Sequence, residues 1–239
     1  MNPGIFRVGP YAALLIFIGG LAVRYALAHR RDRAAGLAES QDLFVGGRVW
    51  RLGILLLMLG HGGGLLFPQQ ILLWNTVPVR LYILEGLAFA AGIAALAGWA
   101  GVMWRHLGRA GGSAAREVAD AAFLSLLFVA LLSGLLTAIL YRWGSSWGVL
   151  TLTPYVRSLA SGNPAAALAA DLPFFVRLHV FSSMAALAAI PFSRLAPLAL
   201  VPLHRGLGLL LRPLSAMGRT VEPALRKHNP LERLWPEED

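Results

Sequence analysis

Two histidines, His61 and His179, lie inside long apolar segments of the chain. Titratable side chains are costly when lipid surrounds such segments, and those found there usually have a function. His61 stands six residues before Phe67, and His179 stands six residues after Pro173. At about 1.5 Å per residue, both would lie about 9 Å below the same boundary on antiparallel helices. Two imidazoles at one depth can be the axial ligands of one haem iron. The alternative is that both are hydrogen-bonded packing residues.

Three glycines, Gly62, Gly63 and Gly64, follow His61 directly. Glycine weakens a helix, but its missing side chain leaves room for a flat macrocycle to approach the backbone. We therefore regard these glycines as candidate contacts of a haem. The remaining histidines fall in loops, at helix ends or in the tail, where solvated or interfacial side chains are expected: His29, His106, His204 and His228.

The segments that must position these histidines are long enough to cross a lipid bilayer. Of the 239 residues, 57% are hydrophobic and 14% are charged, whereas a soluble domain is about a quarter charged. Five apolar runs approach the roughly 20 residues that a spanning helix needs; they lie at about 10–28, 49–67, 81–104, 121–140 and 174–200. None alternates in the manner of a strand, so the sequence predicts an all-α bundle of five transmembrane helices. We expect the first run to be retained, because Arg24 and Tyr25 stand where a signal peptide would need small residues.

The charge pattern favours a membrane over nucleic acid. The net charge is +9, and the arginines lie between the apolar runs rather than on one basic face. They concentrate after the first, third and fifth runs, so the positive-inside rule predicts an outside N-terminus and a cytoplasmic C-terminus.

We divide the chain into a transmembrane domain, 1–212, and a polar cytoplasmic tail, 213–239. The longest outside loop, about 144–173, is expected to hold a short surface helix near 154–161 or 165–170.

The two histidine segments resemble a known family. The stretch RLGILLLMLGH, which ends at His61, resembles helix 2 of the cytochrome b (gamma) subunit of membrane-bound respiratory nitrate reductase. The stretch FVRLH, which ends at His179, and the stretch PFSRL at 191–195 resemble helix 5 of the same family. The resemblance covers most of the chain, but it is only architectural in helices 1, 3 and 4. It implies a b-type haem held by His61 and His179 in a prokaryotic cytoplasmic (plasma) membrane.

The chain departs from the family at the second haem. The family normally holds two stacked b-type haems, and the positions of the inner ligands are occupied here by Arg51 and Pro197. A guanidinium has no free lone pair and proline has no side-chain donor, so neither residue can bind iron. His204 has no partner on helix 2. The resemblance therefore implies one haem b, the outer one. The redox partner could then sit on the outer face, another subunit could supply the inner route, or the chain could be an anchor with a relic haem.

The same resemblance directs attention to the start of helix 3. The family has a lysine near the outer surface for quinone, and this chain has Arg80, Tyr82 and Glu85 in that region. Glu85 could accept a proton from quinol, and the alternative is an ion pair with Arg80 or Arg177. Arg177, two residues before His179, could face a haem propionate or serve as an interfacial anchor.

Two functions follow from these residues. The first is an electron-transfer subunit between the quinone pool and a molybdenum/iron–sulfur oxidoreductase or cytochrome partner. The second is a structural membrane anchor of a redox complex that takes no part in electron flow. The sequence has no nucleophile–base pair, nucleotide loop or metal-cluster motif, so we expect little catalysis by the chain alone. Its expected partners are redox subunits, quinone and lipid, not nucleic acid.

Overall fold

The computed structural model describes residues 3–28, 47–107 and 114–193. Every regular element in these three ranges is helical, as the predicted all-α class requires. The elements are α1 Pro3–Ala28, α2 Gly47–Leu66, α3 Pro68–Asn75, α4 Pro78–Leu107, α5 Ala114–Leu140, α6 Gly144–Ala160, α7 Ala167–Ala170 and α8 Phe174–Ala189, and a 3₁₀ turn, Ile190–Phe192, follows α8. Pro197, His204, the fifth run beyond residue 193, and the tail 213–239 with its boundary lie outside the described residues.

Five of these helices are long and apolar enough to cross a membrane, which confirms the predicted number of spans. The spans are Gly4–Arg24, Arg48–Leu66, Pro78–Arg105, Val118–Leu140 and Phe174–Phe192. The first begins earlier than predicted, because Pro10 lies inside α1 rather than at its start. Large apolar side chains remain exposed on the helices; Leu15 and Val23, for example, are 72% and 61% exposed. Such a surface suits contact with lipid, where each helix satisfies its own backbone.

Three short helices gather at one end of the bundle, which we call the α6 end. Here α3 connects α2 to α4, and α6 and α7 connect α5 to α8. The short helix α7 lies where one was predicted, near 165–170. The helix predicted near 154–161 is in fact the last part of α6, which has 17 residues, so that prediction was wrong in extent. The sequence reasoning did not predict α3.

Glycine allows the closest approaches between the spanning helices. The most extensive packing joins α5 to α8 and α2 to α4, whereas α2 and α8 are not a closely packed pair among the described helices. A Cβ at Gly53 of α2 would lie 2.6 Å from the backbone nitrogen of Ala95 in α4. A Cβ at Gly98 of α4 would lie 2.5 Å from the Cβ of Trp50 in α2. Small residues are the usual means of close helix packing in membranes.

The half of the bundle away from the α6 end has a continuous apolar core. Trp50 of α2 is 1% exposed and is the largest side chain in this core. Its buried neighbours come from α4, α5 and α8: Val102, Phe123, Leu124 and Ala186. Protein side chains therefore fill the bundle at this level.

A second apolar core fixes α6 and α7 to the first turns of α1. Phe6 and Tyr155 are buried together against the alanines of α7. The hydroxyl of Tyr155 donates to the carbonyl oxygen of Phe6 at 2.7 Å, and the hydroxyl of Tyr11 donates to that of Leu159 at 2.8 Å. Burial, with a smaller contribution from Tyr11, raises the pKa of Tyr155 to about 12. The α6 end is therefore a packed part of the structure rather than a loose loop.

Candidate haem site

The rings of the predicted ligands His61 and His179 lie close together, one on α2 and the other on α8. Their ring centroids are 5.9 Å apart, and the ring planes are inclined by 32°. Two imidazoles that bind one metal ion from opposite sides, through bonds of about 2 Å, have ring centroids roughly 6 Å apart. The separation of this pair therefore fits two axial ligands of one iron.

Hydrogen bonds fix the tautomer of both imidazoles. His61 Nδ1 lies 2.7 Å from the carbonyl oxygen of Leu57, one turn earlier on α2. His179 Nδ1 lies 2.8 Å from the carbonyl oxygen of Ala130 on α5. Because a carbonyl oxygen only accepts, each Nδ1 must carry a proton, and in the neutral imidazole the lone pair is then on Nε2. A metal-binding histidine usually donates its other ring nitrogen to a carbonyl or carboxylate in this way.

Gly134 on α5 makes room for the imidazole of His179. A Cβ at this position would lie 2.9 Å from both Cε1 and Nδ1 of the ring. The ring therefore reaches the carbonyl of Ala130 only because residue 134 has no side chain. The sequence reasoning missed Gly134. The available signal was a glycine within the fourth apolar run, where small residues mark helix contacts.

The three glycines after His61 have different surroundings. A Cβ at Gly62 or Gly63 would meet no protein atom of another element within 4 Å. A Cβ at Gly64 would lie 3.3 Å from Val149 on α6. Two of the three glycines thus have no neighbouring element against them, and the third allows α6 to pack against α2.

Helix α6 is hydrogen-bonded to the last turn of α2. The hydroxyl of Thr153 donates to the carbonyl oxygen of Gly64 at 3.1 Å, and Nη2 of Arg157 donates to that of Leu65 at 3.1 Å. Carbonyls in the last turn of a helix have no partner within the helix itself. α6 therefore caps the helix that carries His61 a few residues beyond the histidine.

Two polar side-chain atoms on α5 and α8 are buried without a hydrogen-bond partner among the described residues. One is Nε of Arg177, whose Nη1 donates to the carbonyl oxygen of Ala170 at 3.2 Å. The other is the hydroxyl of Thr137, which lies on α5 three residues beyond Gly134. Unpaired buried donors in native proteins call for an explanation such as a bound group.

The predicted quinone-site residues lie together at the start of α4, and each contacts the α6 end. Oε1 of Glu85 accepts hydrogen bonds from the backbone nitrogen and the hydroxyl of Ser145, at 2.7 and 2.5 Å. The guanidinium of Arg80 lies 5.3 Å from the ring centroid of Trp74. The ring of Tyr82 meets that of Trp143 edge-on at 5.2 Å.

Ser145 links Glu85 to α3 and was not anticipated from the sequence. Because the hydroxyl of Ser145 donates to Glu85, it must accept from its other neighbour. Nδ2 of Asn75, at the end of α3, lies 3.0 Å from this hydroxyl and 2.9 Å from that of Ser146. Glu85 thus holds the first turn of α6 through two hydrogen bonds from Ser145.

Among the described residues, no second pair of histidines lies at the opposite end of α2. Arg51 is exposed there, next to the buried Trp50. The histidines whose side chains the structure describes are His61 and His179. Within the described ranges, no group of three or more histidine, cysteine or carboxylate side chains could hold a metal ion.

Comparison with known proteins gives one consistent family. The family model described as nitrate reductase gamma subunit matches residues 2–213. The chain is 26% identical to the nitrate reductase gamma chain of Bacillus subtilis (strain 168), over 79% of this chain and 87% of that protein. It is 25% identical to the respiratory nitrate reductase 2 gamma chain of Escherichia coli (strain K12), over 81% and 88%. It is also 28% identical to the nitrate reductase-like protein NarX of Mycobacterium tuberculosis (strain ATCC 25618 / H37Rv), over 81% of this chain but 31% of that protein.

Proposed function

Because the chain belongs to the nitrate reductase gamma subunit family, we propose that it carries one b-type haem and transfers electrons between the quinone pool and a redox partner. The family consists of membrane cytochrome b subunits of nitrate reductase, so the chain is a membrane-spanning subunit of an oxidoreductase complex rather than a complete enzyme. When bound, the haem supplies one-electron chemistry at its iron. The protein supplies ligands, orientation and surroundings.

The histidine pair is the observation that carries the proposal. His61 and His179 present a free Nε2 at a ring separation of 5.9 Å, and each ring is oriented by a carbonyl through Nδ1. Two unrelated packing histidines would not need matching tautomers. Arg177 would hold a propionate through its unpaired Nε, and Gly62 and Gly63 would lie against the macrocycle.

The proposal includes one haem rather than two. Arg51 stands at the position of one inner ligand, and Pro197 at that of the other. Arg51 is exposed, and the neighbouring core around Trp50 occupies the bundle interior at that level. We infer that the second site of the family is lost in this chain.

The position of the single haem suggests where electrons enter and leave. His61 lies five residues before the end of α2, and His179 five residues after the start of α8, so the haem lies about 8 Å from the α6 end. The other side of a bilayer core of about 30 Å is much farther away, and direct electron transfer over that gap would be slow. We propose that the α6 end faces outside, with the C-terminus in the cytoplasm of a bacterium. The partner, whether molybdenum and iron–sulfur subunits or a cytochrome, then exchanges electrons there.

We place quinone at the start of α4. Glu85 is a carboxylate within a spanning segment, and Ser145 engages its Oε1. Its second oxygen, Oε2, would take a proton from quinol. Arg80 and Tyr82, each held against a tryptophan ring, would line the approach.

A redox difference spectrum of the purified protein tests this proposal, with His61→Ala and His179→Ala variants as comparison. The wild type should show one b-type haem, and each variant should lose it together with reduction by a water-soluble quinol. A variant that has lost the haem but keeps full quinol-linked activity in the complex would favour the structural anchor instead. Both variants remove a side chain without adding volume, so circular dichroism should show unchanged helix content.

A further inference from the structure

Positive charge dominates the α6 end. Four exposed arginines lie there, and we call them the α6-end arginines: Arg7, Arg80, Arg142 and Arg157. The exposed carboxylate at this end, among the described residues, is that of Asp171. The carboxylate of Glu85 is partly buried and already engaged by Ser145. The exposed surface nearest the proposed haem therefore carries an excess of positive charge.

Contacts hold two of these arginines in place. Arg157 donates from Nη2 to the carbonyl oxygen of Leu65 at 3.1 Å, and Arg80 lies over the ring of Trp74. A side chain that is ordered before binding loses less conformational entropy when a partner arrives. These arginines are thus suited to meet carboxylates in a defined arrangement.

The surface crosses the end of the bundle rather than lying along its sides. α6 contacts α4 through Ser145, α2 through Thr153 and α1 through Tyr155. A helix that bridges the ends of three spanning helices lies where the bundle meets water. Arg142 and Arg157, near the two ends of α6, are about 20 Å apart along it, which is comparable with one face of a small protein.

We propose that the α6 end is a docking surface for a soluble redox protein with an acidic face. The inference rests on the proposed function, because it supplies the partner for a haem near this end. Leu65, which Arg157 binds, lies four residues beyond His61, so a partner on the arginines would approach the haem closely. Opposite charges on the two surfaces accelerate their encounter and favour the correct partner, and salt weakens this electrostatic attraction.

The test uses the full chain in nanodiscs of zwitterionic lipid. The acidic probe is a plant-type ferredoxin, and the basic probe is a mitochondrial-type cytochrome c. We expect ferredoxin to bind, and its affinity should fall at least tenfold between roughly 0.02 M and 0.15 M salt. Cytochrome c should not bind. Arg142→Gln and Arg157→Gln should each lower the affinity for ferredoxin about threefold. The matched control is Arg48→Gln, an exposed arginine at the other end of α2, which should leave the affinity unchanged.

Three results would overturn the docking surface. Cytochrome c could bind with the same affinity as ferredoxin. Arg48→Gln could lower the affinity for ferredoxin as much as Arg157→Gln does. Anionic lipid in the disc could abolish ferredoxin binding because its headgroups bind the arginines. The His61→Ala protein separates this inference from the haem proposal, because the arginines should bind ferredoxin even without haem. A normal haem spectrum without ferredoxin binding refutes the docking surface alone, and binding to a wild type without haem refutes the haem proposal alone.

Discussion

Replacing Gly134 by alanine should disturb the haem site more than any change of similar size elsewhere in the spans. The new Cβ would lie 2.9 Å from Cε1 and Nδ1 of His179. Carbon atoms prefer separations of about 3.5–4.0 Å, so the ring must move by roughly 0.6–1 Å. Nδ1 is 2.8 Å from the carbonyl of Ala130, and a shift of this size brings the hydrogen bond to its limit, about 3.5 Å.

The expected consequence is a loss of haem with little loss of fold. Overpacking costs about 1–3 kcal/mol, and a helical Gly→Ala change returns up to about 1 kcal/mol. Loss of the partner that orients a metal-binding histidine typically lowers metal affinity by about 10–100-fold. The Gly134→Ala protein should therefore purify as a helical membrane protein with clearly less haem, or with haem of altered midpoint potential.

Absorbance of the haem per mole of purified protein, followed by a redox titration, measures this effect. Gly19→Ala is the matched control, because Gly19 lies in the middle of α1 and a Cβ there meets nothing within 4 Å. The control should keep full haem content. If Gly134→Ala also keeps full haem with the wild-type potential, the ring of His179 does not lie against Gly134 as described, and the proposed haem site is wrong.

Three further changes test other parts of the structure. Glu85→Ala should lower the thermal unfolding temperature more than Glu85→Gln, because glutamine keeps an oxygen that accepts from Ser145; equal losses would contradict the role of that bond. The contribution of Tyr155 to stability should be complete below about pH 10 and fall as the pH approaches 12, because the unfolded chain loses the proton at 10.0 and the fold only at about 12. Unfolding in detergent should show this fall in the wild type and a smaller one in Tyr155→Phe, and identical pH profiles would refute it. Gly98→Ala should cost about 1–3 kcal/mol, measured by denaturant unfolding, because its Cβ would lie 2.5 Å from that of Trp50; an unchanged unfolding midpoint would contradict that packing.

The spans and the histidine pair could be predicted because each rests on local sequence. The length of an apolar run decides whether it can cross lipid, and depth along a helix follows from counting residues. The rings of His61 and His179 do lie 5.9 Å apart, although depth alone does not bring two side chains together. The extent of α6 was missed because the predicted short helix began at Pro154, whereas Pro154 lies within the helix.

The supporting residues of the site could not be predicted because they act between distant parts of the chain. Gly134 matters only because α5 packs along α8 and meets His179. Ser145 matters only because the end of α5 returns to the start of α4, where Glu85 lies. The sequence pattern of either segment alone does not indicate these contacts between helices. The same contrast holds at the end of α2 away from the α6 end. Arg51 cannot bind iron, and its residue type alone shows this. The burial of Trp50 depends on Gly98 of another helix, so the sequence around Trp50 does not reveal it.

The haem content of the purified wild type is the most direct test of the central claim. Pyridine haemochrome absorbance against quantitative amino-acid analysis should give about one b-type haem per chain. Electron paramagnetic resonance should show a low-spin iron with two imidazole ligands, and either His61→Ala or His179→Ala should abolish that signal. Two haems per chain, or a low-spin bis-imidazole signal that survives in either variant, would contradict a single haem held between His61 and His179.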